Sequence, residues 1–303
     1  MSMDLKGLVT DRAYATYSSS LEKEIRAGVM PGHVAIIMDG NRRYAQEVLG
    51  VDAKEGHRLG RKKLEEVLHW CMDLDIRILT VYAFSMENFS RGDDEVDYLM
   101  ELLEQSLYDF ADDEDVHANK VAIRVIGDRD ALPEPVQKAV DYAYERTEGY
   151  SDHHLNMAIA YGGRQDITSA VRSIAQDVAD GRMSVDDITE QTVSERISTG
   201  GMPDPDLVLR TSGEIRVSNF LLWQLAYSEL YFTDVYWPGF RYIDFLRAIR
   251  TYQQRVRRFG ERRCTGTSSS FMRPACTTSA GSPYSTGPCP TSYRRRRSSR
   301  CTR

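Results

Sequence analysis

The 303-residue sequence predicts an α/β fold, a single domain with a central, mainly parallel six-stranded sheet flanked by helices. Six short runs rich in β-branched residues alternate with stretches of helical periodicity, which is typical of a parallel α/β sheet. The runs are almost continuously apolar, as expected for strands covered on both faces. Apolar residues make up 41% of the chain, enough for a large core. No run approaches the roughly 20 apolar residues of a membrane span.

Each predicted element follows from its own pattern. The first strand, 33–40, is the apolar run HVAIIM followed by the turn residues Asp-Gly. Amphipathic spacing predicts a helix over 54–74. The second strand, 76–84, leads through a polar loop into a helix over 94–115, whose apolar residues recur at helical spacing. The later strands cover 121–128, 154–161, 206–212 and 229–237, and the later helices cover 134–147, 164–180 and 241–259.

Composition divides the chain into an N-terminal helical segment at 1–30, a main domain at 31–260 and a tail at 261–303. The tail carries nine Arg and one Glu, and Ser or Thr supplies 16 of its 43 residues. Such a segment cannot bury enough apolar surface to offset the entropy of ordering, so we predict that it is disordered. Its arginines could bind anionic lipid or nucleic acid. The preferred interpretation is a segment without selected function, and no nucleic-acid partner is expected.

The compartment is predicted from the N-terminus and the cysteines. The first residues lack the basic cap and apolar run of a signal peptide. Cys71 is the one cysteine before residue 261, so no disulfide can form within that part of the chain. We therefore expect a cytoplasmic protein.

Polar clusters follow three of the predicted strands. DGNRR follows the first strand, SMENFSR the second and TSGEIRVS the fifth. Ligands of open parallel sheets bind beyond the carboxyl ends of the strands, so the three clusters are expected to converge. This convergence is the main functional signal in the sequence.

The first cluster suits a phosphorylated ligand. Gly40 and Asn41 permit a tight turn at a helix N-terminus, and Arg42 and Arg43 offer charge-assisted hydrogen bonds to phosphate. Asp39 would repel a phosphate unless it acted through Mg²⁺, for which carboxylate and phosphate oxygens are a usual ligand set. The alternative is an ordinary strand-to-helix turn in which Asp39 caps the helix.

The other clusters carry related chemistry. His57 could bind or protonate a diphosphate, although a lone histidine is more often structural. Arg210 and Arg216 form a guanidinium pair suited to diphosphate, and Glu229 could share Mg²⁺ with Asp39. For Arg210, Arg216 and Glu229, a structural salt bridge is an equally good interpretation. The chain contains no GxxxxGK[ST], GxGxxG, GxSxG or HExxH motif, which argues against nucleotide, dinucleotide, serine-hydrolase and zinc-protease sites.

Larger blocks identify a family. HVAIIMDGNRRYA, GH at 56–57, TVYAFSMENFSR, IGD, YGGRQDI, DLVLRTSGEIRVSNFLLWQLAYSELYFTD and WPGF occur in this order. Over about residues 30–260 the sequence resembles the cis-prenyltransferases, the undecaprenyl and dehydrodolichyl diphosphate synthases. The resemblance implies a homodimer with a hydrophobic tunnel. It implies Mg²⁺ as cofactor and repeated addition of isopentenyl diphosphate to an allylic diphosphate with formation of cis double bonds.

The resemblance also implies roles for individual residues. Asp39 would be the essential carboxylate near Mg²⁺, Glu229 would complete the metal site, and Asn88 would be the proton acceptor. The allylic diphosphate would lie against Gly40, Asn41, Arg42, Arg43 and His57. Isopentenyl diphosphate would be held by Arg210, Arg216, Val217 and Ser218. The reacting centre would be flanked by Ser85, Met86, Glu87, Phe89 and Arg91, and Tyr44 and Phe89 occupy positions often held by tryptophan.

The expected protein is therefore an active polyprenyl diphosphate synthase of about undecaprenyl product length, which supplies a glycosyl carrier lipid. The DGNRR variant favours geranylgeranyl over farnesyl diphosphate as the starter. Transient contact with a membrane surface would release the product. The alternative is a non-catalytic partner subunit of a heteromeric enzyme. Its hallmark would be loss of Asp39 or of the phosphate-binding arginines, all of which this chain retains.

Overall fold

A computed structural model describes residues 5–255. Six strands form one sheet in the order β3-β4-β2-β1-β5-β6, and every neighbouring pair is parallel. The predicted α/β domain with a six-stranded parallel sheet is confirmed. The strands are β1 (His33–Ile37), β2 (Ile78–Ser85), β3 (Val121–Ile126), β4 (His153–Tyr161), β5 (Leu207–Arg210) and β6 (Glu229–Phe232).

Helices connect and cover the strands. Two long helices, α3 and α4, precede and follow β2 along the chain. A π-helical turn, Tyr44–Leu49, continues the short helix α2. No helix among the described residues is long and apolar enough to cross a membrane. The helices are α1 (Leu5–Arg26), α2 (Asn41–Arg43), α3 (Ala53–Asp73), α4 (Asp93–Asp112), α5 (Glu114–Ala118), α6 (Glu134–Arg146), α7 (Gly163–Ala179), α8 (Glu190–Arg196) and α9 (Tyr242–Gln254).

The sheet separates two apolar clusters. Successive side chains of a strand point to opposite faces, and β1 divides accordingly. Val34 and Ile36 belong to the larger cluster, while Ala35 and Ile37 belong to the smaller one. All four side chains are buried, which explains why the strand is apolar at every position. The sheet is therefore fixed from both faces, and its polar strand ends are held in place.

Several predicted boundaries differ from the structure. Strand β1 ends at Ile37 rather than at residue 40, because Gly40 adopts a left-handed conformation with φ +101°. The predicted helix over 94–115 breaks at Asp113, whose side chain caps α5 instead of continuing α4. Helix α8 was not predicted, since its seven residues give too little periodicity. The predicted disordered tail at 261–303 lies outside the described residues.

A buried polar network lies at the amino-terminal edge of the sheet. The Nδ1 atom of His33 lies 2.8 Å from the carbonyl oxygen of Pro203, and Nε2 lies 2.8 Å from Oγ1 of Thr80. Thr80 in turn accepts a hydrogen bond from the amide of Asn156. This arrangement suits a neutral imidazole that donates at Nδ1 and accepts at Nε2. Burial lowers the pKa of His33 to about 4, although the Pro203 carbonyl opposes the shift.

Stability should therefore fall in acid. His33 has a folded-state pKa of about 4 and an ordinary unfolded value of 6.5. Its contribution is complete above pH 6.5 and is lost as the pH falls toward 4. We expect His33 to account for about 2 kcal/mol of the loss in unfolding free energy between pH 7.5 and 5. Urea unfolding of wild type and His33→Gln measures it. Equal pH slopes for the two proteins would contradict the assignment.

Candidate active site

The three polar clusters meet at the carboxyl edge of the sheet. Strands β2, β1 and β5 are neighbours, and Ile37 of β1 is in register with both Tyr82 of β2 and Arg210 of β5. Asp39 follows β1 by two residues, and Ser85 is the last residue of β2. Because the strands are parallel, their ends place all three clusters at one edge, as the sequence predicted.

Asp39 lies between two arginines at the centre of this edge. Its Oδ2 accepts a hydrogen bond from Nη2 of Arg210 at 2.8 Å, and its Oδ1 accepts one from Nη2 of Arg43 at 3.1 Å. Burial opposes ionisation of the carboxyl, but the hydrogen bond and charge of Arg210 and the charge of Arg43 outweigh it, so the pKa of Asp39 is lowered. The carboxylate stays charged at neutral pH.

Arg210 is buried and held on three sides. Its side chain is only 5% exposed. Nη1 donates to the hydroxyl of Ser218 at 2.7 Å and to the carbonyl oxygen of Arg216 at 2.6 Å, while Nη2 donates to Asp39. The Arg216 side chain is 60% exposed and pairs with Glu214. Arg210 is thus buried and fixed within the site, whereas the Arg216 side chain is exposed to solvent.

Two arginines and a histidine surround Glu95 of α4. Oε1 of Glu95 accepts a hydrogen bond from Arg91 at 2.7 Å and lies 3.6 Å from Nε2 of His57. Its Oε2 lies 3.7 Å from Nη1 of Arg42. Burial and the charge of Arg91 lower the pKa of His57 despite Glu95, so the imidazole is neutral near pH 7. Glu95 was not predicted from the sequence, although it gathers three of the predicted binding residues.

The loop after β2 forms a short 3₁₀ helix, Met86–Ser90, closed by a capping box. The backbone N–H of Ser85 donates to Oδ1 of Asn88 at 2.9 Å. The ring of Phe89 packs edge-on against Phe84 with centroids 4.8 Å apart, and Met86 also packs against the core. Asn88 is therefore held in a fixed orientation, and the two apolar residues face inward.

Asn219 joins this loop to the segment after β5. Its Nδ2 donates to Glu87 at 3.1 Å, its Oδ1 accepts from the N–H of Arg164, and its carbonyl accepts from the N–H of Gly163. A side chain at Gly162 would collide with the Asn219 amide, since a Cβ would lie 2.7 Å from Nδ2. The YGGR motif therefore lets Asn219 cap α7 beside Ser218 and Glu87. No local pattern in the sequence marks this function.

The turn after Asp39 is built against α3. A Cβ on Gly56 would lie 2.1 Å from the Asn41 carbonyl oxygen, and a Cβ on Gly60 would lie 2.4 Å from Asn41 Oδ1. The two glycines therefore let the turn approach the helix. On the far side of the turn, the ring of Tyr44 packs on Gly239, where a Cβ would lie 3.3 Å from the ring.

Val217 makes a local contact after β5. Its carbonyl oxygen accepts a hydrogen bond from the N–H of Phe220 at 3.0 Å. Phe220 is fully buried and stacks on Tyr82 of β2, with ring centroids 4.6 Å apart. The turn that contains Val217 and Ser218 is therefore anchored to the smaller apolar cluster.

The structure does not bring Glu229 to Asp39. Glu229 opens β6 in register with Leu207, which is itself in register with Val34 near the start of β1. Asp39 lies beyond the other end of β1, five residues along a strand that rises about 3.3 Å per residue. Glu229 instead accepts a hydrogen bond from Arg255 at 2.8 Å. The predicted sharing of Mg²⁺ by Asp39 and Glu229 is therefore wrong within one chain, because the two residues lie at opposite edges.

A metal ion would have to be held differently. No group of three or more His, Cys, Asp or Glu side chains in residues 5–255 could hold a metal by itself. Asp39 is ionised and its side chain is 27% exposed, so it can offer an oxygen. Mg²⁺ is commonly bound by one or two carboxylates together with substrate phosphates. The donor set fits a Mg²⁺ that arrives with a diphosphate.

A separate cavity lies beside Asn219. It has a volume of about 670 Å³ and opens between the ends of β3 and β4, where it is lined by the IGD and YGGR motifs. Gln165 lines it and also accepts a hydrogen bond from Asn219. Asp39 and Arg210 are not among its lining residues. The predicted site is thus an open edge of arginines rather than this cavity.

Comparison with known proteins places the chain in a family. A family model described as "Putative undecaprenyl diphosphate synthase" matches residues 37–260. The tritrans,polycis-undecaprenyl-diphosphate synthase (geranylgeranyl-diphosphate specific) of Thermoplasma volcanium is 50% identical over 258 residues, which cover 85% of this chain and 100% of the relative. The enzyme of the same name from Methanocaldococcus jannaschii is 53% identical over 247 residues, 81% of this chain and 88% of that one.

Two solved structures of diphosphate synthases share the fold of this chain. Lavandulyl diphosphate synthase from Lavandula x intermedia, crystallised with dimethylallyl diphosphate, superimposes with a TM-score of 0.72 at 39% identity, covering 77% of this chain and 99% of that one. A probable undecaprenyl diphosphate synthase from Campylobacter jejuni gives a TM-score of 0.62 at 31% identity, covering 77% of this chain and 100% of that one. The resemblance inferred from the sequence motifs is confirmed. The chain belongs to the undecaprenyl diphosphate synthase family of cis-prenyltransferases.

Proposed function

We propose that this prenyltransferase uses Mg²⁺ to add isopentenyl diphosphate repeatedly to geranylgeranyl diphosphate, giving a product of about undecaprenyl length. One observation carries the proposal. Asp39 joins an arginine of the β1 turn, Arg43, to an arginine at the end of β5, Arg210. Two separate cationic arms therefore meet at one carboxylate, as a reaction between two diphosphates requires.

Each arm receives one substrate. The allylic diphosphate lies on the β1 arm, against Gly40, Asn41, Arg42, Arg43 and His57. Isopentenyl diphosphate lies on the β5 arm, against Arg210, Arg216 and Ser218. The support is geometric, since Ser218 and Arg216 already contact Arg210, and Arg42 and His57 both approach Glu95. Separate guanidinium groups suit two diphosphates better than one shared cluster.

The residues then act by stabilising charge. As the allylic carbon–oxygen bond breaks, negative charge develops on the departing diphosphate, and the arginines of the β1 arm stabilise it. The double bond of isopentenyl diphosphate forms the new carbon–carbon bond, and loss of a proton creates the new alkene. Mg²⁺ held by Asp39 and phosphate oxygens would supply further charge stabilisation when bound.

Asn88 positions the reacting loop in this proposal. Its Oδ1 already accepts the N–H of Ser85, so one lone pair is used before substrate arrives. A carboxamide is also a weak base, which favours an oxygen of the departing diphosphate as the final proton acceptor. Asn88 then orients Ser85 and can hydrogen-bond the substrate through its NH₂ group. This narrows the role of proton acceptor that the family resemblance implies.

The growing chain enters the apolar side of the sheet between α3 and α4. Buried residues of the two helices face the larger core cluster, among them Leu64, Leu68, Leu103 and Leu107. Burying hydrocarbon there contributes roughly 0.8 kcal/mol per CH₂ group. We propose geranylgeranyl diphosphate as the starter because the names of the two archaeal relatives above state that specificity.

A homodimer is part of the proposal. Strand β6 is an edge strand, so one side of its backbone has no strand partner within residues 5–255. Its four residues are half-buried, and Ile215, in the loop after β5, is 80% exposed. A second copy would cover this edge. Cytoplasmic location and transient membrane contact for product release are proposed with it.

The proposed function is tested by incorporation of labelled isopentenyl diphosphate. With Mg²⁺, we expect long products from geranylgeranyl diphosphate and at least tenfold slower incorporation from farnesyl diphosphate. Chelation by EDTA should abolish both. Equal rates with the two starters would contradict the starter assignment. No incorporation by folded dimer would favour the non-catalytic partner subunit.

The two arms should separate kinetically. Arg42 and Arg216 are matched, because each side chain is 60% exposed and pairs with one glutamate. Arg42→Ala should raise the KM for the allylic diphosphate about tenfold, since a charge-assisted hydrogen bond to a charged group contributes roughly 1.5 kcal/mol. Arg216→Ala should do the same for isopentenyl diphosphate. Steady-state kinetics measure both, with Arg77→Ala, which lies outside the site, as the control.

The opposite pattern would reverse the assignment of the two arms. An equal rise of both KM values in each variant would refute the separation itself. Both substitutions are at exposed positions, so their effect on stability should stay within about 0.5 kcal/mol. A melting-temperature measurement verifies this.

A further inference from the structure

We propose that Tyr236 and Glu47 form a positioning pair that holds Arg43 in place for the allylic diphosphate. Neither residue was predicted from the sequence to belong to the site. The proposal rests on the proposed function, because it names the residues that orient one of its substrate-binding arginines. It is carried by three contacts that Tyr236 makes with the turn after β1.

Tyr236 contacts that turn at three points. Its hydroxyl donates to Oε2 of Glu47 at 2.6 Å. The guanidinium carbon of Arg43 lies 5.6 Å from the centre of its ring, within the range of a cation–π interaction. A Cβ on Gly40 would lie 2.7 Å from Cδ1 of the same ring, so the ring packs directly on the turn. The Tyr236 side chain thus contacts Gly40 and Arg43 in the turn after β1 and Glu47 in the π-helical turn that follows it.

The backbone on either side of Tyr236 is fixed. The N–H of Trp237 donates to the carbonyl oxygen of Asp39 at 3.1 Å, and the carbonyl of Val235 accepts from the N–H of Ser212 at 2.8 Å. Trp237 is fully buried, and its Nε1 donates to the carbonyl of Gly60 at 2.8 Å. The tyrosine therefore projects from a rigid segment, and it can act as a reference point for the turn opposite.

Arg43 needs such a reference. Its side chain is 36% exposed, and an arginine is long enough to adopt many rotamers. Nη2 donates to Asp39 at 3.1 Å and to the hydroxyl of Ser212 at 2.6 Å, and Nη1 lies 3.6 Å from Glu214. These partners hold the edge of the guanidinium. The ring of Tyr236 packs against the face of the guanidinium, so the Arg43 side chain has fewer orientations available before a diphosphate binds.

Glu47 holds the ring in turn. It lies in the π-helical turn Tyr44–Leu49, a conformation that is rare and often found at functional sites. Its partner Tyr236 is 189 residues away along the chain. The hydrogen bond to Glu47 raises the pKa of Tyr236, so the phenol keeps the proton that it donates. The pair closes a link between the β1 turn and the segment after β6.

Four single variants and one double variant test the pair by steady-state kinetics. Tyr236→Leu removes the ring and should raise the KM for geranylgeranyl diphosphate at least 30-fold. Tyr236→Phe removes only the donor hydroxyl and Glu47→Ala removes the acceptor carboxylate, and each should raise this KM three- to tenfold. Combined, they should give no more than either alone, because they break the same link. Glu47→Gln keeps an acceptor and should restore nearly wild-type values.

The KM for isopentenyl diphosphate should change less than twofold in all five variants. A merely structural role would lower the melting temperature and impair both substrates alike. Tyr144→Phe is the matched control, since Tyr144 is exposed on α6, away from the site. Unchanged KM values in Tyr236→Leu, or equal changes for both substrates, would overturn the proposal.

Calorimetry with inorganic diphosphate separates this proposal from the proposed function. Wild type should bind diphosphate, and Tyr236→Leu should bind it at least tenfold more weakly. If wild type incorporates no isopentenyl diphosphate yet this difference is found, the function fails and the positioning pair stands. If wild type is active and the two proteins bind diphosphate equally, the positioning pair fails alone.

Discussion

The carboxylate of Asp39, shared between Arg43 and Arg210, is the interaction on which the site depends. Arg210 is almost completely buried, and a buried guanidinium is costly unless its charge is matched. Asp39 supplies that match from the turn after the neighbouring strand β1. The same carboxylate orients Arg43, so it ties the end of β5 to the turn after β1. Without substrate, the Asp39 carboxylate pairs with both Arg43 and Arg210 and so neutralises two neighbouring positive charges.

The parallel sheet decides which residues can reach that carboxylate. Residues that follow β1, β2 and β5 meet at the carboxyl edge of the sheet. The segment after β6 contacts them there, since the N–H of Trp237 donates to the carbonyl oxygen of Asp39. Residues that open a strand, such as Glu229, lie at the other edge. Glu95 and Asn219 then join the clusters to one another through hydrogen bonds to Arg91 and Glu87. The grouping of these residues in the proposed binding surface is therefore a consequence of strand direction.

The fold and the three clusters could be predicted because their signals are local. Continuous apolar runs mark buried strands, and glycine with polar residues marks their ends. The connecting residues could not be predicted. Tyr236 pairs with Glu47 over 189 residues and Asn219 with Glu87 over 132, and no periodicity records such distances. The predicted place of Glu229 is wrong because a carboxylate's chemistry does not record strand direction, and Glu229 opens a strand that runs parallel to β5.

The most direct test of the account is the activity of Asp39→Asn, which keeps the size of the side chain and removes its charge. We expect kcat/KM for incorporation of isopentenyl diphosphate to fall at least 100-fold, as when a transition-state stabilising group is lost. Asp141→Asn, at a half-exposed position on α6, should retain wild-type activity. Circular dichroism should show both variants folded. An Asp39→Asn enzyme within threefold of wild type would contradict the account, because the two arms would then not depend on this carboxylate.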